Sequence, residues 1–206
     1  MRTLTLAALA LLTSGSALAA DHELSLELGT LSANDHDWNW YTDSNANLPS
    51  WGLRGAYAFH QNLSAVVGYH HVRRGASLWQ EEEGSAGNTW FLGNEITVGV
   101  HADTGSMSRV FAPYVNLQAL VFTGSLHFDG DIEDDENPDE ISESAMSLGA
   151  LPVAGLEVRL PMNHSSYTAA VFAEGGWAVM GPMQYETLGD QAIGGFVFRT
   201  GAGVRF

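Results

Sequence analysis

The chain has 206 residues, with eight arginines and no lysine set against 24 acidic residues, for a formal net charge of −16. Phosphate recognition needs clustered Lys and Arg, so this balance excludes nucleic acid as a partner. No cysteine occurs, which removes a disulfide framework and a lipid-anchored amino terminus.

The first residues read Met1-Arg2, then an apolar run from Leu4 to Leu12, then Ala17-Leu18-Ala19. A basic start, a short apolar stretch and a small-x-small site predict a cleaved secretory signal over 1–20, leaving 21–206 as one domain. No later segment is long and apolar enough to cross a bilayer as a helix.

From there the chain alternates polar and apolar residues with period two, which predicts strands. Eight segments show it: 23–31, 51–60, 63–73, 90–102, 110–123, 146–160, 167–179 and 192–206. The links between them alternate in length. Those over 32–50, 74–89, 124–145 and 180–191 are long. Those at His60-Gln61-Asn62, Asp103 to Ser108 and Pro161 to Ser166 are short. Long links on one side and tight turns on the other predict an up-and-down transmembrane barrel of eight antiparallel strands, all-β, with the long loops outside and both termini periplasmic.

Each segment sorts into an apolar face and a mixed face. Trp51, Leu53, Tyr57 and Phe59 oppose Gly52, Arg54, Ala56 and Ala58. In the fifth segment Phe111, Val115, Leu117 and Val121 oppose Tyr114, Asn116, Gln118 and Phe122. A soluble barrel turns its apolar face inward. Here the mixed face carries charges among glycines, as a crowded lumen requires, and the continuous apolar face suits lipid. Trp51, Trp90 and Trp177 fall at the loop ends, and Tyr57, Phe59, Phe111, Tyr167 and Phe206 at the turn ends, which predicts two interfacial aromatic girdles. Pro113 and Pro152 each remove one ladder donor from the outward face, and a bulge or strand end is expected there.

The last segment ends Phe196-Val197-Phe198-Arg199-Thr200-Gly201-Ala202-Gly203-Val204-Arg205-Phe206. Its terminal aromatic, with Phe196, Phe198 and Val204 in phase, is similar to the assembly signal read by the outer-membrane barrel machinery. With the eight-strand layout, the chain resembles small outer-membrane barrels of the OmpA transmembrane-domain and OmpX type. That resemblance implies bacterial outer-membrane residence, porin-like architecture, and lipid and lipopolysaccharide as surroundings. A monomer is expected.

Counted up from the turns, Arg54, Glu95, Glu174 and Arg199 fall at one level, Glu27 slightly lower, and Glu157 and Arg159 near the periplasmic mouth together with Arg205. Unpaired charges in a lumen are costly, so a compensated network is expected. It either fills the barrel or rearranges as a narrow gate for small ions or solutes.

The four long links hold 17 of the 24 acids. In the third, Asp129, Asp131, Glu133, Asp135 and Glu140 offer oxygen ligands, but Asp134 stands where a calcium loop needs glycine. Weak binding of Ca2+ or Mg2+ is expected there, with no fixed metal site. Asp35 to Tyr41 mixes acids with exposed aromatics, suited to a sugar or partner or to extending the upper girdle. His164 and Ser166 form an H-x-S pair similar to that of outer-membrane lipid A deacylases, but in a periplasmic turn and with no acid to orient the histidine. His70 and His71 point to opposite faces and cannot share a metal. The sequence thus predicts a structural or surface-interaction barrel with no cofactor and no catalytic residue, ahead of a gated pore and, third, an outer-membrane lipid-modifying enzyme.

Overall fold

The computed structural model describes residues 22–33, 47–80, 85–103, 110–130, 140–162, 167–186 and 189–206. The expected signal segment, the first-loop aromatics, Glu81 to Glu83, Asp131, Glu133, Asp135, His164 and Ser166 lie outside these residues.

Ten strands are present among them: β1 (Glu23–Ala33), β2 (Asn47–His60), β3 (Leu63–Gln80), β4 (Ser85–Asp103), β5 (Phe111–Gly130), β6 (Glu140–Pro161), β7 (Thr168–Met180), β8 (Met183–Tyr185), β9 (Gly189–Gln191) and β10 (Gly195–Arg205). Eight of them close a barrel in the order β1-β10-β7-β6-β5-β4-β3-β2, every pair antiparallel. The seam is fastened below β1 and β10 by reciprocal backbone bonds between His22 and Phe206, both 2.9 Å. Following the register from Gly155 around the wall, through Glu174, Arg199, Gly29, Ser50, Val72, Gly93 and Gly124, leads back to β6 at Ala145, ten residues away. That stagger tilts the strands and brings residues far apart in the register to one height.

The outward parity is apolar and bare. Leu26 is 66% exposed, Leu117 65% and Leu148 62%. On β5 the outward row runs Phe111, Pro113, Val115, Leu117, Ala119, Val121 and then turns polar at Thr123, Ser125 and His127. On β1 it turns polar at Thr30, and on β3 at His71. Exposed Trp51 and Trp177 flank the upper side of this belt, and Tyr57, Phe59, Phe111, Tyr167 and Phe206 the lower.

Three expectations are corrected. The strands run well past the belt: β3 and β4 pair up to Gln80 and Ser85, and β5 and β6 up to Asp129 and Glu140, so much of the second and third long links is strand. On β5 and β6 the outward residues there are polar, Ser125, His127, Ser142 and Ser144, which hides the continuation from a search for apolar alternation. Pro152 sits at neither a bulge nor a strand end. The β6–β7 register instead omits Leu151 and Pro152, between Ala150↔Val179 and Val153↔Gly176, where a missing donor is tolerated. The fourth link is not a simple loop, because β8 and β9 pair within it as a small hairpin.

Candidate functional site: the filled lumen

The inward parity of the eight barrel strands delivers two layers. On the turn side the filling is charged. Arg54 on β2 is buried and reaches three carboxylates: Glu23 Oε1 at 3.0 Å from Nη2, Glu27 Oε1 at 3.3 Å from Nε, and Glu174 Oε2 at 3.2 Å from Nη1. Its guanidinium carbon also lies 3.9 Å from the centroid of the Phe172 ring, a stacking that holds the planar group in place. Tyr114 donates its hydroxyl to Glu174 Oε2 at 2.8 Å, and the Asn116 amide reaches the same oxygen at 3.3 Å.

Two branches leave this centre. Upward, Glu27 Oε2 meets His70 Nε2 at 2.5 Å, His70 Nδ1 lies 3.3 Å from Glu95 Oε1, and Arg199 Nη2 donates to that oxygen at 2.5 Å. Downward, Glu23 Oε2 meets Arg205 Nε at 3.3 Å, Arg205 Nη1 lies 3.2 Å from Glu157 Oε1, and Arg159 bridges Glu157 at 2.6 Å and Asp103 at 2.7 Å. The chain of contacts runs unbroken from Arg199 to Asp103. Its lower end alone is wetted, with the Arg159 side chain 20% exposed.

The eight charges that the sequence places on the inward parity are joined by contacts into one connected set. Their partners differ from what strand adjacency suggests. Arg199 and Glu174 are register neighbours, yet Arg199 bonds Glu95 across the lumen and Glu174 bonds Arg54. Glu23, Asp103, His70 and Tyr114 join the set without having been assigned to it from the sequence. Inward parity was the available signal for each. Glycines make the room: a Cβ on Gly52 would collide with the His70 ring, and one on Gly155 would come within 2.5 Å of the Tyr114 ring. His71, on the opposite parity, faces out beside Trp51, with ring centroids 5.7 Å apart.

Toward the loop side the filling becomes apolar. Leu31, Leu48, Val72, Phe91, Leu120, Phe122, Leu126, Leu151, Val153 and Val197 form a buried cluster, with Phe91 and Phe122 stacked at 6.1 Å. The β8–β9 link completes it from above with Met183, Tyr185 and Ile193, of which Met183 and Ile193 are wholly buried. The hairpin is tied down by Ser147 Oγ donating to Gly181 O at 2.6 Å and by the Tyr185 hydroxyl donating to Gly124 O at 3.4 Å. Burial, helped by Glu143, pushes the Tyr185 hydroxyl well above its ordinary range, so it remains a donor.

Of the carboxylates considered for divalent ions, Asp129 is exposed at the top of β5 and its backbone pairs with that of Glu140. Among the described residues no group of three His, Cys, Asp or Glu is placed to hold a metal. On the last strand and at the residue that follows it, Phe196, Phe198, Val204 and Phe206 all face outward.

No family model and no curated protein matches the sequence. Solved structures do. Ail, the attachment invasion locus protein of Yersinia pestis, crystallised with the heparin analogue sucrose octasulfate, aligns over 91% of this chain and 97% of its own at 16% identity, with a TM-score of 0.50. The likeness is one of fold. Neisserial surface protein A aligns over 93% of this chain and 98% of its own at 12% identity, TM-score 0.45. The N-terminal β-barrel domain of Pseudomonas aeruginosa OprF aligns over 91% and 99% at 12% identity, TM-score 0.41. The chain has the architecture of the small eight-stranded barrels of bacterial outer membranes, all-β and antiparallel throughout.

Proposed function

We propose that the protein is an integral outer-membrane barrel with a structural or surface-interaction role and a lumen closed to solute flow. The observation that carries this reading is the inversion of the filling: charges are buried inside and leucines are bare outside. In water the outward belt would be a very large exposed apolar patch. In a bilayer it is the solvated face, and the closed wall leaves no strand edge unpaired in lipid. The loop-side apolar layer argues against the gated pore. Small ions would have to cross a packed cluster around Phe91, Phe122 and Met183 as well as an ion-paired network.

On this reading the terminal strand serves assembly through Phe196, Phe198, Val204 and Phe206. The loop acids favour calcium or magnesium bridging to anionic lipopolysaccharide. The barrel stands alone as a monomer, without catalysis.

The test is to fold the purified chain into vesicles and into planar bilayers. Insertion should give a compact form whose gel mobility shifts on boiling, with no steady conductance. Failure to insert overturns the membrane reading, and a large steady conductance overturns the closed lumen.

A further inference from the structure

The eight arginines are unevenly spent. Arg54, Arg159, Arg199 and Arg205 are ion-paired in the lumen. Arg2 and Arg109 lie outside the described residues, and Arg74 has inward parity and is half-buried. Arg73 alone among the described arginines faces outward and exposed, and no described carboxylate lies within ion-pair distance of it.

Its place on the wall is informative. On β3 the outward row is Leu63, Ala65, Val67, Tyr69, then His71 and Arg73. The Tyr69 hydroxyl donates to Asn94 Oδ1 at 2.7 Å, and His71 Nδ1 lies 3.1 Å from the same atom, marking the upper edge of the apolar belt. Arg73 stands two residues higher, about 7 Å along the strand. A headgroup layer is roughly 5–7 Å deep on each side of the hydrocarbon. Beside it, His71, Arg73, Gly75, Asn88, Thr89, Trp90 and Leu92 line an open concavity of about 590 Å³. Gly75 creates the notch. A Cβ there would meet nothing nearer than Thr89 O at 3.7 Å, so a side chain fits the backbone but would occupy the space. Trp90 forms one wall, held by His127, whose ring stacks on it at 5.3 Å and 12°.

We infer that this notch between β3 and β4 is a binding site for the phosphorylated glucosamine headgroup of one lipopolysaccharide molecule in the outer leaflet. Arg73 takes the phosphate, and His71 and Asn88 supply further polar contacts. The Trp90 face takes the sugar ring, as indole faces do. Charge complementarity favours that occupant. On a chain of net charge −16, Arg73, the one exposed outward guanidinium among the described residues, gives an anionic lipid a local foothold at headgroup height. This rests on the outer-membrane reading above, and gives that reading a fixed lipid contact.

The test uses the folded full chain in detergent, with native mass spectrometry counting retained lipid. The probes are bisphosphorylated lipid A, its dephosphorylated counterpart and phosphatidylglycerol. One bisphosphorylated lipid A should be retained selectively. Arg73→Ala, and removal of the phosphates, should each weaken retention about fivefold. Gly75→Leu, which fills the notch without changing charge, should weaken retention of both lipid A forms. Equal retention of phosphatidylglycerol, or no effect of either variant on a barrel that folds and inserts normally, overturns the site. A chain that does not insert at all overturns the membrane reading instead.

Discussion

The two halves of the lumen share one wall and one construction rule, yet they are filled by opposite chemistry. The turn-side half is held by directional contacts, in which Arg54 faces Glu23, Glu27 and Glu174 and each bond fixes the next group. The loop-side half is held by shape, with Phe91, Phe122, Leu126 and Met183 packed without any such partner requirement. Directional filling is intolerant, because deleting one member leaves buried charges unpaired. Packed filling is forgiving, because neighbours can partly settle into a gap. The brittle part of the molecule is therefore the network, and the adaptable part lies beneath the hairpin.

Arg54→Ala should have the largest effect on stability. It leaves buried Glu174 without a cation and takes one of two from Glu23 and Glu27, and should cost about 3–5 kcal/mol, read from urea unfolding of the barrel in vesicles. A loss under about 1 kcal/mol would mean that water already solvates those acids. Met183→Ala should cost about 2 kcal/mol, the low end for a buried methionine, since a hairpin of two three-residue strands can reseat. The two variants share no partner, so their effects should add within about 0.5 kcal/mol. Strong coupling would show that the two layers act as one body. Tyr114→Phe removes one donor to Glu174 Oε2 while keeping the ring, and should cost about 1.5 kcal/mol by the same measurement.

How far the sequence reaches differs between the halves in the same way. Period two decides which side chains enter the lumen, so Arg54, Glu95, Glu157, Glu174 and Arg199 were legible as lumenal from parity alone. Their partners were not. Which groups meet depends on the ten-residue stagger of the closed wall and on reach across the lumen, and neither is a local property. The loop-side layer was harder still. Leu31 was legible only as the last residue of a segment, and Leu48 and Leu126 fell in stretches read as loop, Leu126 because its outward neighbours Ser125 and His127 are polar. β8 and β9 are too short to show any period at all.

The acidic third link differs from the lumen in composition, since it carries nine of the acids and no arginine. In the network, every carboxylate has an arginine or histidine at ion-pair distance. In the third link, Asp129 is exposed, and no basic residue occurs in the segment from Asp129 to Glu143. Like charges in water repel weakly and are screened by salt, so the gain from adding calcium is small. With free calcium near the dissociation constant of a loose carboxylate site, the stabilisation is about 0.4 kcal/mol. The expected outcome is a small calcium-dependent rise in the unfolding midpoint at low ionic strength, removed by 150 mM salt or by neutralising Asp129, Asp131 and Glu133 together. Calorimetry on the folded barrel gives the complementary reading, as a shallow isotherm without a sharp equivalence point. A sharp one-to-one isotherm would establish a built calcium site in the third link and remove the contrast between an organised interior and a diffusely charged rim. No response at low ionic strength would leave those acids as solvated surface, with the ordered charge of the molecule confined to its lumen.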